Sequence, residues 1–317
     1  MTVDPHGQPM QTPTPHWSQT STRLMNACPR AWAITYGTTD GAPKPRRKPT
    51  WTPPRTFDQL LIRTMRTTWL RRLDDQYKRK IWSFPYAKRA IGVAVDDAMD
   101  LVNMAVPQVH LEMGKQRSNK QLRTLEQCQT LRPLFTGQPR RWAYFDRRDA
   151  AMIGGVEVYA APDVAIFHQH RWTLVRIQFR SLRRPLLGQQ LEHLLMIHWA
   201  INQPGFPQDV EAYNVKVVGW DGRRWREHSV NVSEELLEQS IALVRHDVQE
   251  MQWLKRWASA DPSFGSLPLA AHHEQCRTCS HRPDCPARDG LAQAKQRQEK
   301  SFLSHHHNEA TKSARTA

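Results

Sequence analysis

The chain reads as a mixed α/β (α+β) fold: a central mixed sheet flanked by helices, with an N-terminal helical insertion and a C-terminal cysteine-rich clasp. Three observations predict it. Residues 57–132 carry helical periodicity, as in "FDQLLIRTMRTTWLRRLDDQYKRKIW", with little that points to strands. After residue 138 the period shortens. "RWAYFD", "IGGVEVYAAPDVAIF", "WTLVRIQF" and "VEAYNVKVVGW" are β-branched and aromatic runs separated by Gly, Pro or polar turns. Between the last two lies "GQQLEHLLMIHWAIN", a well-formed helical stretch.

Taken in order, residues 1–20 are rich in Pro, Gln and Thr and read as disordered. "STRLMNACPRAWAITYG" predicts one short helix, capped by Ser21 or Thr22, with Leu24, Cys28, Trp32 and Tyr36 at helical spacing and Gly37 at its end. "DGAPKPRRKPTWTPPRT" is a proline-rich basic connector leading to the helical insertion of residues 57–132. The strand-rich core follows over 138–257. It includes a further strand candidate in "WREHSVNV" and a helix, "EELLEQSIALVRHDVQEMQWLKRWA", with Ser233 as N-cap. Residues 272–290 hold the cysteine segment. Together these make one domain over 21–290, and the polar, basic tail 291–317 reads as disordered.

At 317 residues the chain is long enough for a sizeable core. There are 45 Lys+Arg against 30 Asp+Glu, and the arginines are spread over many segments ("RTMRTTWLRRL", "QPRRW", "SLRRP", "DGRRWR"). A basic surface of this kind suits a polyanion, most simply nucleic acid; a solvated basic protein without such a partner is the plainer alternative. No apolar stretch of signal-peptide or membrane-spanning kind is present, which predicts a soluble, cytoplasmic protein without membrane partners. The cysteines number five, and clustered cysteines in a reducing compartment are metal ligands more often than disulfides.

Three cysteines fall in "HHEQCRTCSHRPDCPARDG", spaced C-x2-C-x5-C at Cys276, Cys279 and Cys285. Zinc and iron–sulfur cubes both need four ligands. The fourth is open between a nearby histidine (His272, His273 or His281), which suits zinc, and the distant Cys28, which would staple the first helix to the C-terminal segment. Cys28 also reads as an ordinary small buried residue. Cys128 has no partner pattern.

"STRLMNACPRAW" followed far downstream by C-x2-C-x5-C resembles the iron–sulfur branch of the RecB-like PD-(D/E)XK nucleases, whose fold is restriction-endonuclease-like. The resemblance covers roughly residues 21–285, the helical insertion only loosely. It implies a 4Fe–4S cluster on Cys28, Cys276, Cys279 and Cys285, with zinc as the alternative. It also implies DNA as substrate, Mg²⁺ or Mn²⁺ as catalytic ion, and a place in a larger machine beside a helicase, integrase or similar partner. Such nucleases hold the divalent cation on carboxylates at strand ends, with a lysine beside the water.

Here "AAPDVAIF" supplies the first acid as Asp163, but "IQFRS" puts Gln178 at the second carboxylate position and Arg180 at the lysine position. Gln178 brings no negative charge, and Arg180 is a delocalised fork in place of a compact ammonium. The downstream Q-x-x-x-Y helix motif survives only as Gln190, with Leu194 at the tyrosine position. Glu157 and Glu192 are the substitute acids to consider, with Asp146 and Asp149 in a nearby loop; each also reads as an ordinary surface acid. The expectation is an impaired nuclease centre turned to DNA binding, with Arg176, Arg183 and Arg184 as phosphate contacts and Trp51, Trp69 or Trp82 as stacking platforms. The alternatives are a metal-dependent DNase with a rearranged site, and a structural partner subunit without DNA contact.

Overall fold

In a computed structural model, the chain is described over residues 15–37, 56–137, 139, 141–180, 186–261, 263–277 and 279–313, without the side chains of 304–313. The connector, Trp51, Arg183 and Arg184 lie outside the described residues. The fold is mixed α/β, as the sequence predicts. The chain forms two compact units, residues 1–48 with 244–317 and residues 49–243.

The first unit begins with a two-residue strand β1 (Trp17–Ser18), then α1 (Gln19–Ala27) and α2 (Pro29–Tyr36). Residues 17–20, expected to be disordered, form β1 and the start of α1, while the expectation for residues 1–14 lies outside the described residues. Trp17 is buried and its Nε1 donates to Asp247 Oδ2 at 2.8 Å, while Ser18 is the true N-cap, accepting from Ser21 N–H at 3.1 Å. Met25, Trp32 and Ala33 pack with Met251, Leu254, Ala258 and Leu267. That packing explains the division, because the N-terminal helices complete their core with late residues. Leu267 lies beyond helix α8 (Glu234–Ala260), and after it come the short α9 (His273–Arg277) and α10 (Leu291–Ser313).

The helix α10 replaces the expected disordered tail. "LAQAKQRQEK" is rich in strong helix formers. Leu291 and Ala294 are buried with Leu269 and Ala287, and Gln298 Nε2 donates to the carbonyls of Gly265 (2.7 Å) and Leu267 (3.0 Å).

The second unit holds α3 (Phe57–Tyr77), α4 (Phe84–Val102), α5 (Gln108–Glu126), α6 (Arg132–Thr136) and α7 (Leu187–Ile201). Its five-stranded sheet runs β2 (Arg141–Tyr144), β5 (Val164–His168), β6 (Arg171–Gln178), β7 (Tyr213–Trp220), β8 (Trp225–Val230) in spatial order. β3 (Ala151–Ile153) and β4 (Val156–Tyr159) form a hairpin beside it in sequence. All pairings in the five-stranded sheet are antiparallel except β6 with β7, which are parallel and joined through α7.

The helical insertion is not a separate appendage. Leu60, Leu61, Met65, Trp69, Ile91, Val95 and Leu125 form one core with Val164, Ile166, Val175, Ile177 and Val218 of the sheet. Trp69 belongs to this core at 2% exposure, so it offers no stacking platform. Side chains alternate along β6, so Leu174 and Arg176 face away from Val175 and Ile177.

Candidate functional site

A helix break builds the cysteine centre. Proline has no N–H to donate, and its ring disfavours helical backbone at the preceding residue. Pro29 thus ends the single helix expected over 21–36, and Cys28 becomes extended at φ −160, ψ 102, C-cap of α1 and N-cap of α2. The Arg30 N–H donates to Pro268 O at 3.1 Å and its Nε to Phe264 O at 2.9 Å, tying the break to the C-terminal segment. The late trio winds through linked turns. Cys279 N–H donates to Cys276 O (3.3 Å), Arg282 N–H to Cys279 O (3.4 Å) and Cys285 N–H to Arg282 O (3.2 Å).

All four sulfurs are half-buried and free of disulfides. Burial pushes the Cys28 thiol up, the Ala31 backbone N–H pulls it down, and Cys279, Cys285 and Cys276 push it up again. Burial also raises Cys276, followed by Cys285 and Cys279. The early cysteine therefore lies within electrostatic reach of each member of the trio. Among the described residues, no three His, Cys, Asp or Glu side chains are gathered as around a single metal ion. Four thiolates on one zinc would sit within about 4 Å of one another, given a Zn–S bond near 2.3 Å. His272 and His273 are exposed, and His281 Nε2 lies 3.0 Å from Thr35 Oγ1; after burial and the Ala31 N–H, the side chains acting on Cys28 are the three late cysteines. A four-cysteine donor set suits a tetrahedral zinc ion and an iron–sulfur centre alike.

The carboxylate centre belongs to the other unit. Asp163 immediately precedes β5, and the register Val164↔Val175 sets it opposite Arg176; Arg176 and Gln178 share a face of β6. Asp163 is 5% exposed. Burial alone would raise its pKa, but the charges of Arg147 and Arg176, the Arg147 hydrogen bonds and the Ile177 N–H overcome this and hold it below the usual carboxylate range. Arg147 Nε donates to Oδ1 and Nη2 to Oδ2, both at 2.6 Å, and Ile177 N–H reaches Oδ2 at 2.6 Å. Nη2 of Arg147 also donates to Ile177 O at 2.5 Å. Both carboxylate oxygens are thus engaged by a bidentate guanidinium. Arg66 on α3 acts on the same cluster, its pKa lowered by burial and then by Arg147, and supported by Asp163 and Asp146.

The remaining expected residues scatter. Gln178 Nε2 lies 3.3 Å from Nε2 of the buried His193 on α7. Arg180 is exposed and lines a cleft of about 220 Å³ with Arg117, Gln121, Phe179 and Trp220, a cleft that Asp163 does not line. Gln190 sits in the first turn of α7, its N–H donating to Leu186 O at 3.1 Å. Glu192 acts electrostatically on Arg176, whereas Glu157 is exposed on the hairpin and accepts from Tyr159 OH at 3.0 Å. Asp146 is engaged by Arg148, and the Asp149 carbonyl accepts from Trp199 Nε1 at 3.0 Å.

Arg176 corrects an expectation. It is 7% exposed, 3.8 Å from Asp163, and donates to Ala160 O at 3.3 Å, so it faces inward and is not a surface phosphate contact. Sequence reasoning also missed Arg147 and Arg66. "DRRD" announces a turn but not that one of its arginines reaches a carboxylate further along the chain.

No family model matches the chain, and no curated protein matches it significantly. A solved structure described as "Crystal structure of SSO0001" is similar at 12% identity and a TM-score of 0.26, covering 73% of this chain and 95% of that one. That similarity is too low to assign a fold or a function.

Proposed function

We propose that this chain is a catalytically silent relative of the PD-(D/E)XK nucleases that binds DNA through surface charge, without a divalent cation. The supporting observation is the bidentate Arg147–Asp163 pair. A metal ion on Asp163 would have to displace a guanidinium that already satisfies both oxygens of a buried carboxylate. Gln178 adds no second negative charge, and Arg180 stands apart from the centre. The Asp163 cluster is nearly self-neutralised by its own acids, so phosphate binding falls to the exposed cations of a chain with net charge +15.

The same reading gives the four cysteines a 4Fe–4S cluster, which when bound would join the two ends of the first unit. Cys28 would hold it from the helix break, and Cys276, Cys279 and Cys285 from the linked turns.

The test is incubation of the purified full chain with labelled single- and double-stranded DNA, with Mn²⁺, with Mg²⁺ and with EDTA. Salt-dependent binding in EDTA and no cleavage under any condition are expected. EDTA-sensitive cleavage that Gln178→Ala abolishes would overturn the silent-centre reading. Absence of any DNA binding would favour the structural partner subunit.

A further inference from the structure

The turn between α3 and α4 has a character that the Asp163 centre does not explain. "YKRKIWSFPYAKR", residues 77–89, holds five cations, five large apolar or aromatic side chains and no acid. Ile81 is 92% exposed, Tyr77 60%, Phe84 54% and Tyr86 38%. Large side chains of this kind are exposed singly on most proteins; a contiguous group marks an interaction surface.

The rings are held in place. Arg79 takes left-handed backbone (φ 59) to end α3, and Ser83 caps α4 with a proline in its first turn. Trp82 Nε1 donates to Asp75 Oδ2 at 2.9 Å, and Trp82 meets Tyr86 edge-on at 5.1 Å. Arg71 Nη2 donates to Tyr86 OH at 2.8 Å, and the Arg123 guanidinium lies 4.5 Å from the Phe84 ring centre. Nearby acids are already engaged, Asp74 by Lys78 (2.7 Å) and Asp75 by Lys80 (3.4 Å). Arg79, Lys88 and Arg89 are exposed, with no acidic partner among the described residues.

We propose that this turn is a stacking surface for unpaired nucleotides: Phe84 and Tyr86 take bases, while Arg79, Lys88 and Arg89 take the flanking phosphates. The inference rests on the nucleic-acid reading above and names the part of the surface that contacts the bases. Interleaved rings and cations are what a single strand requires, since every base offers a π-face and every linkage a charge. A membrane wedge would instead lead with uncharged aliphatic residues, whereas Arg79 and Lys80 abut Ile81. Rings fixed before binding also lose little entropy on stacking.

The test is fluorescence anisotropy on the full chain in EDTA, with a labelled single-stranded oligonucleotide and an abasic strand of equal length. Wild-type protein is expected to prefer the base-bearing strand by at least about thirtyfold, the scale of two lost base–aromatic stacks at the weak end of their range. The double variant Phe84→Ala, Tyr86→Ala is expected to bind both strands alike with unchanged salt dependence, and Phe84→Trp to keep the preference. Equal wild-type affinity for the two strands would overturn the proposal and leave the DNA-binding reading standing. So would a double variant that still discriminates between them. Vesicle co-sedimentation with phosphatidylserine–phosphatidylcholine that depends on Phe84, beside unchanged oligonucleotide binding, would overturn it in favour of a membrane surface. No nucleic-acid binding at all would sink both.

Discussion

Arg147 carries the greatest consequence of any single residue. A carboxylate at 5% exposure cannot stay ionised without a cation, and two arginines supply the charge here, one through both its forks. Without Arg147 the buried carboxylate keeps only Arg176 and the Ile177 N–H, so Arg147→Ala is expected to destabilise the chain by about 1.5–3 kcal/mol, the scale of losing hydrogen bonds to a charged group. The pH sign follows from the depressed Asp163 pKa. The stabilisation is complete above the unfolded value near 4 and is lost as pH falls through the lower folded value. Urea titrations across acidic and neutral pH check both points. In Arg147→Ala the acid-induced loss should move to higher pH. A variant as stable as wild type would show that the pair is incidental.

At the scale of elements, the proline break shows what sequence conveys and what it withholds. The apolar spacing of Leu24, Cys28, Trp32 and Tyr36 suggested one helix, but Pro29 had the stronger local say and split it at the cysteine. The strands of the core were legible because β-branched alternation and Gly or Pro punctuation are local signals. The Asp163 cluster was half legible: the acid and the two altered positions stand in one short stretch, while Arg147 and Arg66 come from a loop and a helix that only folding brings near. The ordering of α10 was hidden because it depends on Leu291 and Ala294 packing beside the cysteine turns. If that packing encloses a cluster, anaerobically purified wild-type protein should be brown, with stoichiometric iron and sulfide. Cys28→Ser should lose the colour and lower the melting temperature, because the cluster closes a very long loop. A colourless protein with stoichiometric zinc, or a Cys28→Ser variant with full iron content, would refute the assignment.

On the scale of the whole molecule, the chain separates its chemistry into two units. One carries Cys28, Cys276, Cys279 and Cys285, while the other holds a sheet covered by α3–α5, with Asp163 at a strand end and the basic, aromatic α3–α4 turn exposed. No described helix is long and apolar enough to cross a membrane. The net charge of +15 is spread over many elements, and under the DNA-binding proposal affinity should fall steeply with salt. What distinguishes a binding protein from a nuclease in this frame is whether a divalent cation ever reaches Asp163. A crystal soaked in Mn²⁺ and measured for anomalous scattering answers that directly. The expected map has no manganese peak at Asp163 and keeps both Arg147 hydrogen bonds; a strong peak on the Asp163 carboxylate with Arg147 swung aside would contradict the silent centre.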